Sequence, residues 1–236
     1  MRSRCTITLA FLGLACAGCL SRGDSIEGKD YHVEFPQARI SLAMHTDRDG
    51  EPVEPGAQAA LVLEATRARG SSRQQLGAGD TLRFKQTDFT GPGPLDVDFE
   101  LDVFSLLYRG GMPLGSNFEG AVLVGGSGFS RYLHLDGVGA NVSDSDFFLL
   151  PAAGAELEWQ AMDGVSLYSR YLIDCDTDNH LAPVLRMFEA GLRVQPHANL
   201  ALFAGWRDWR YDEQRPSESD LVFEIEGAVL GFELLF

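Results

Sequence analysis

The chain has 236 residues, 45% of them hydrophobic, with 19 Lys and Arg against 34 Asp and Glu and a formal net charge of −15 at pH 7. So acidic a chain excludes a nucleic-acid binder, whose affinity comes from neutralising phosphates with cations. The four cysteines are Cys5, Cys16, Cys19 and Cys175; with the first three inside or at the edge of the leader described next, no disulfide framework is available and stability must come from packing.

Arg2 and Arg4 precede the apolar run from Thr6 to Ala15, which is too short to span a bilayer as a helix and reads as an export signal over residues 1–18. Its ending, "LACAGC", resembles a bacterial lipobox. That resemblance implies cleavage before Cys19 and lipidation of Cys19; the alternative is ordinary cleavage after Ala17. Residues 19–36, polar throughout, are expected to be a periplasmic tether, and residues 37–236 a single β domain.

From there to the end, short alternating segments separated by turn clusters argue all-β. The candidate strands are Ala38–Thr46, Ala60–Arg67, Thr81–Phe89, Leu95–Arg109, Phe118–Leu133, Phe148–Ala161, Val165–Ile173, Val184–Gln195, Leu200–Asp212 and Leu221–Phe236. Ala60–Arg67 could equally begin a helix. No later run is long and apolar enough for a membrane-spanning helix, so a membrane could be crossed only by a closed barrel. Counted back from the C-terminus, long and short connections alternate: "EQRPSESD", "PHAN", "DCDTDNHLA", "MDG", then the acidic "HLDGVGANVSDSDF". Outer-membrane barrels alternate long outer loops with tight periplasmic turns in this way. The expected fold is an up-and-down antiparallel transmembrane β-barrel of 8–10 strands.

The last strand ends "GAVLGFELLF", with Leu234, Phe232, Leu230 and Ala228 on the face of Phe236. This pattern resembles the signal by which bacterial outer-membrane barrels are recognised for assembly. With "EAGLRVQPHANLALFAGWRDWRYDE" before it, Val184–Phe236 is similar to the closing strands of small outer-membrane barrels of the outer-membrane protein A and W types. The resemblance implies an outer-membrane location in a Gram-negative-type bacterium. It implies contact with membrane lipid and lipopolysaccharide, and with the barrel-assembly machinery.

In "LDVDFELDVF", residues 95–104, apolar and acidic residues alternate from Leu95 to Val103. In a barrel, Leu95, Val97, Phe99, Leu101 and Val103 are expected to face lipid, and Asp96, Asp98, Glu100 and Asp102 the lumen. If "TGPGP" is a tight turn, Arg83 and Lys85 of the preceding strand fall opposite Asp102 and Glu100. Charges of matching parity on other strands (Glu156, Glu158, Glu189, Arg193, Arg207) complete an expected lumen network of ion pairs that plugs a narrow barrel. The competing reading of the same charges is a narrow channel for small solutes.

The remaining motifs carry little chemistry. "DCDTDNH", Asp174 to His180, starts like a calcium loop but has Asn179 and Leu185 where Gly and an acid are required. No histidine has a zinc spacing. His134 and Asp136, with Ser130, could form a catalytic group, but the His-x-Ser of barrel lipid A deacylases is absent. Neither an enzyme nor a cofactor or metal site is expected. Trp159, Tyr168, Tyr171, Trp206, Trp209 and Tyr211 are expected at the two lipid–water interfaces. The reading is therefore an outer-membrane barrel with a structural or surface-interaction role. The alternatives are the channel, a barrel enzyme acting on membrane lipid, and a soluble periplasmic lipoprotein. If Cys19 carries lipid, Cys19→Ser abolishes incorporation of labelled palmitate into the protein; undiminished labelling contradicts the lipobox reading.

Overall fold

The computed structural model describes residues 25–32, 35–44, 59–174, 183–215 and 217–235. Among them there are twelve strands and no helix. These are β1 (Ser25–His32), β2 (Phe35–Met44), β3 (Ala59–Leu76), β4 (Thr81–Phe84), β5 (Thr87–Thr90), β6 (Gly93–Pro113), β7 (Phe118–Gly137), β8 (Ala140–Met162), β9 (Val165–Asp174), β10 (Val184–His197), β11 (Leu200–Glu213) and β12 (Asp220–Leu235). Cys19, Cys175 and Asp176 to His180 lie outside the described residues.

Leaving aside the separate hairpin β4–β5, each strand from β2 to β12 pairs antiparallel with the next. β12 also pairs with β2, in parallel, from Val229↔Phe35 to Leu235↔Ser41, so the ladder returns to its first strand after nine. With an odd number of up-and-down strands, the first and last must run the same way; the closing pair therefore departs from the fully antiparallel expectation. The first half of β12 is covered by β1, from Ser25↔Asp220 to His32↔Glu226. Ser25–His32 was expected in the tether. Backbone N–H and C=O groups make a ladder whatever side chains they carry, so its polar composition concealed the strand.

Two ends of the ring differ. One carries the two-residue turns Asp163–Gly164 and Ala198–Asn199 and the turn at residues 114–117. The other carries the turn Val138–Gly139, the β4–β5 hairpin and the β11–β12 connection. Gly139 and Gly164 take positive φ (77° and 72°), which tight hairpin turns require and glycine supplies without strain.

Three sequence expectations change. Residues 134–147 are not a loop: β7 and β8 run on through them and turn at Val138–Gly139. Thr81–Phe89 is not one strand but folds back at Lys85–Gln86, both with positive φ (47° and 64°). The turn lacks the Asn or Gly that marks such hairpins, so nothing in the sequence announced it. Consequently the partner of β6 is not that segment but β3, through Arg67↔Asp102, Arg69↔Glu100 and Arg73↔Asp96.

The third change concerns the faces of β6. Leu95, Val97, Phe99, Leu101 and Val103 are buried inside the ring, and Asp96, Asp98, Glu100 and Asp102 point outward. Beyond Val103 the parity continues but the composition of the faces exchanges. Phe104, Leu106 and Tyr108 are now outside, while Ser105 and Arg109 are inside. Neighbouring strands exchange at the same rungs. Beside β6 the outward face passes on β3 from Arg67 to Ala65 and on β7 from Ser130 to Gly128; in a second matching pair it passes on β11 from Asp208 to Trp206 and on β12 from Glu226 to Ala228. The molecule is therefore two stacked zones: an upper one, charged outside and apolar inside, and a lower one with the reverse arrangement.

The upper interior is filled from wall to wall. Phe99 of β6 stacks on Phe223 of β12 at 4.5 Å between centroids, and Phe129 of β7 meets Phe148 at 5.3 Å and Tyr211 of β11 edge-on at 6.1 Å. Neither β6 and β12 nor β7 and β11 are neighbours in the ring, so these rings close its interior. Truncating a fully buried aromatic costs about 3–5 kcal/mol. Phe99→Ala is expected to lower unfolding stability in detergent by about that amount and Asp98→Ala, exposed, by less than about 0.5 kcal/mol; a reversed order in urea melts contradicts the inward placement.

Candidate functional site

The lower zone presents two features. Outside is a continuous apolar belt. It includes Ile40 and Leu42 on β2, Phe104, Leu106, Tyr108 and Met112 on β6, Val122 and Val124 on β7, and Leu167 and Tyr171 on β9. It continues through Phe188 and Leu192 on β10, Leu202 and Trp206 on β11, and Leu230 and Phe232 on β12. On β8 Phe147 and Leu149 are 70% and 75% exposed, and Trp159 stacks with Phe118 at the lower edge. Contiguous exposed apolar surface of this extent marks an interaction with something apolar. Of the aromatics expected at interfaces, Trp159, Tyr171 and Trp206 lie on this belt. Tyr168, Trp209 and Tyr211 are buried inside, because their parity is the opposite one.

Inside the lower zone is a charged network. Arg170 Nη1 donates to Glu64 at 2.5 Å, Arg207 Nε to Glu189 at 2.9 Å and Arg207 Nη2 to Gln37 at 2.7 Å. The Tyr168 hydroxyl donates to Glu189 at 2.6 Å. Nearer the tight-turn end, Arg109 bridges Glu119 (2.7 Å) and Glu156 (2.9 Å), and Arg193 bridges Glu158 (3.1 Å) and Glu233 (2.9 Å). Between these tiers lies a cavity of about 550 Å³ that reaches the tight turns at Gly164 and Ala198. Arg170, on the side of the upper zone, lines its inner end, and the aromatic layer lies beyond.

A second cluster closes the upper zone. Arg131, fully buried, contacts Asp144 at 2.7 Å, Asp146 and Glu213. Arg215 reaches Asp144 (3.1 Å), Glu213 (2.9 Å) and Glu218 (2.7 Å), and its guanidinium lies 4.7 Å over the Phe84 ring. Lys85 completes the cluster on Asp144. Burial opposes ionisation of Asp144, but Lys85, Arg131 and Arg215 hold its carboxyl below the usual range. Burial pushes Asp146 the other way, with Asp144 beside it and despite Arg131. The β4–β5 hairpin is thus clasped over the ring: the Ser219 N–H donates to the Arg83 carbonyl at 2.9 Å, and the Arg83 N–H donates to the Ser219 hydroxyl at 3.0 Å.

Of the residues expected in the lumen network, the structure places Glu156, Glu158, Glu189, Arg193 and Arg207 inside and brings them together. Asp98, Glu100 and Asp102 are outside. Arg67 is the partner of Asp102 and Arg69 that of Glu100 (2.8 Å), both on β3. Arg83 pairs instead with Asp88 at 3.2 Å, on its own hairpin. The period of two separated the faces correctly but did not say which face was inner, and the unmarked turn at Lys85–Gln86 hid the true partner. Arg39, Glu64, Arg109, Arg170 and Glu233 were missed. Their signal was present, a single charge between apolar neighbours, as in Leu63-Glu64-Ala65 and Ala38-Arg39-Ile40. His134 Nδ1 meets Ser143 Oγ at 2.8 Å on the outer surface, so the Ser130 expected beside it is not its partner.

No protein-family model, curated protein or solved structure matches this chain.

Breaking a buried charge pair by removing one member typically costs about 3–5 kcal/mol, whereas exposed pairs contribute about 0–1 kcal/mol. Glu64→Ala, which deprives Arg170 of its carboxylate, is expected to destabilise the protein several-fold more than Arg69→Ala in the same unfolding assay. Comparable effects contradict the division into a dry interior and a wet outer ladder.

Proposed function

We propose that this chain is a small outer-membrane β-barrel, closed to conduction, that carries a folded β cap above the bilayer in a structural or surface-interaction role. The exchange of the two faces along β3, β6, β7, β11 and β12 carries this reading. Above the exchange, the outward face is built for water. Below it, a face of Leu, Phe, Val and Ala is built for hydrocarbon, while the charges have moved inside. The outward apolar run on β6, Phe104 to Met112, is about nine residues long, within the roughly 9–11 that a tilted strand needs to cross. β6 continues far beyond that length, as it must if the acidic stretch stands above the membrane. A soluble periplasmic protein would leave this belt in water. A channel is disfavoured by the aromatic layer that bridges the ring. Membrane lipid and lipopolysaccharide are the partners that fit the belt and the charged surface directly above it, with the barrel-assembly machinery inserting the chain through its terminal strand.

Sidedness follows from the same ends. The tight turns lie in the periplasm, and the Val138–Gly139 turn and the β4–β5 hairpin lie outside. Placed in a Cys175→Ser background, Val138→Cys is expected to react with an impermeant maleimide on intact cells, and Ala198→Cys only after the outer membrane is opened. The opposite pattern overturns the orientation.

Two measurements test the barrel itself. The folded protein should migrate faster on a gel before heating than after, and it should show no single-channel conductance in planar bilayers. A Lys or Arg on the lipid face costs about 2–4 kcal/mol at mid-depth, so Leu106→Arg should abolish the heat-shifted form in membranes while Asp98→Arg leaves it intact. Normal insertion of Leu106→Arg sinks the proposal.

A further inference from the structure

The first and last strands of the ring run the same way, so the chain enters and leaves it at opposite ends. β12 begins at the upper end, after the β11–β12 connection, and finishes at Leu235, whose N–H donates to the Asn199 carbonyl of a tight turn at 3.0 Å. β1 and β2 both run parallel to it. From His32↔Glu226 to Phe35↔Val229 both partners advance by three residues, so β1 and β2 follow β12 in one register beyond the bulge between Gly28 and Tyr31. Parallel neighbours start at the same end of a sheet. Ser25 therefore stands at the upper end and Leu235 at the lower.

The start of β1 is built into the cap. Ser25 pairs with Asp220, next to the Ser219 that clasps the β4–β5 hairpin through Arg83. The Asp220 carboxylate accepts from the Arg215 N–H at 3.0 Å, which ties the same corner together. Ile26 is fully buried, in one apolar core with Leu82, Phe84 and Phe89 of the hairpin and Leu221 and Phe223 of β12. The segment before Ser25 thus joins the ring beside the hairpin, at the end opposite the tight turns.

We propose that this N-terminal segment is displayed at the cell surface, where it and the β4–β5 hairpin together form the outer end of the protein. This rests on the orientation proposed above, with the tight turns in the periplasm, and goes beyond it: the stretch expected to be a periplasmic tether contributes instead to the exposed end and to the wall of the ring. It also ties lipidation to the cap. Cys19 precedes Ser25 by six residues, which span at most about 20 Å when fully extended. The hydrocarbon core is about 30 Å thick. A lipid on Cys19 and the cap must therefore share one side of the membrane, and in this orientation its leaflet is the outer one.

The test inserts a short epitope between Asp24 and Ser25 of the Cys175→Ser chain and measures antibody binding to intact cells. Val138→Cys and Ala198→Cys, labelled in parallel with an impermeant maleimide, report the orientation, and a gel heat-shift shows that the tagged ring is intact. Antibody binding on intact cells together with Val138→Cys labelling is the expected result. An epitope reached only after the outer membrane is opened, with Val138→Cys still labelled on intact cells, overturns the proposal and leaves the orientation standing. Ala198→Cys labelled on intact cells, with Val138→Cys and the epitope both protected, overturns the orientation and the surface display with it. Disulfide trapping checks the seam itself. Ile40→Cys is expected to cross-link with Leu234→Cys, its register partner, and not with Leu230→Cys, which lies opposite Pro36. Preferential cross-linking to Leu230→Cys contradicts the parallel pairing and overturns the proposal whatever the epitope shows.

Discussion

The structure depends on one constraint: along an unbroken strand, side chains alternate between two faces and cannot change places. β6 keeps its odd-numbered residues inside from Leu95 to Arg109 while the composition of its two faces exchanges. With parity fixed, the chain can alter its two faces only by changing what each is made of. It does so between Val103 and Phe104, and again at the matching rungs of its neighbours. Direct neighbours across a ladder share a face, and the exchange falls on matching rungs of β3, β6 and β7 and of β11 and β12.

That exchange sorts the charges into two physical classes. Arg67, Arg69 and Arg73 meet Asp102, Glu100 and Asp96 on the watery outer surface, where such pairs contribute little and chiefly keep like charges apart. Arg170, Arg207, Glu64 and Glu189 sit in a dry interior, where each member is tolerated only because the others are present. The same residue types thus serve as solubilising surface in one zone and as a fixed, satisfied interior in the other.

The upper zone has its own logic. An apolar layer crossed by Phe99, Phe129, Phe148, Tyr211 and Phe223 makes a core, and the hairpin β4–β5 covers it through Phe84, Lys85 and the Ser219 clasp. A ring whose interior is packed in this way, with a charged rim and an apolar belt, is the combination on which the proposed membrane role rests.

The sequence by itself determined the all-β class, most strand positions and part of the inner network, because alternation with a period of two survives in the residue order. Glu156, Glu158, Glu189, Arg193 and Arg207 could be grouped for that reason. It could not decide which face of "LDVDFELDVF" turns inward. The same alternation suits an apolar face against lipid or against a core, and only the surroundings of the strand distinguish them. Nor could it reveal the turn at Lys85–Gln86, made without Asn or Gly, or the pairing of β1 and β2 along β12, made by backbone groups that every residue possesses. Those were decided by tertiary structure, since a partner strand is chosen by register across the whole ring, and register is a relation between distant segments that no local pattern contains.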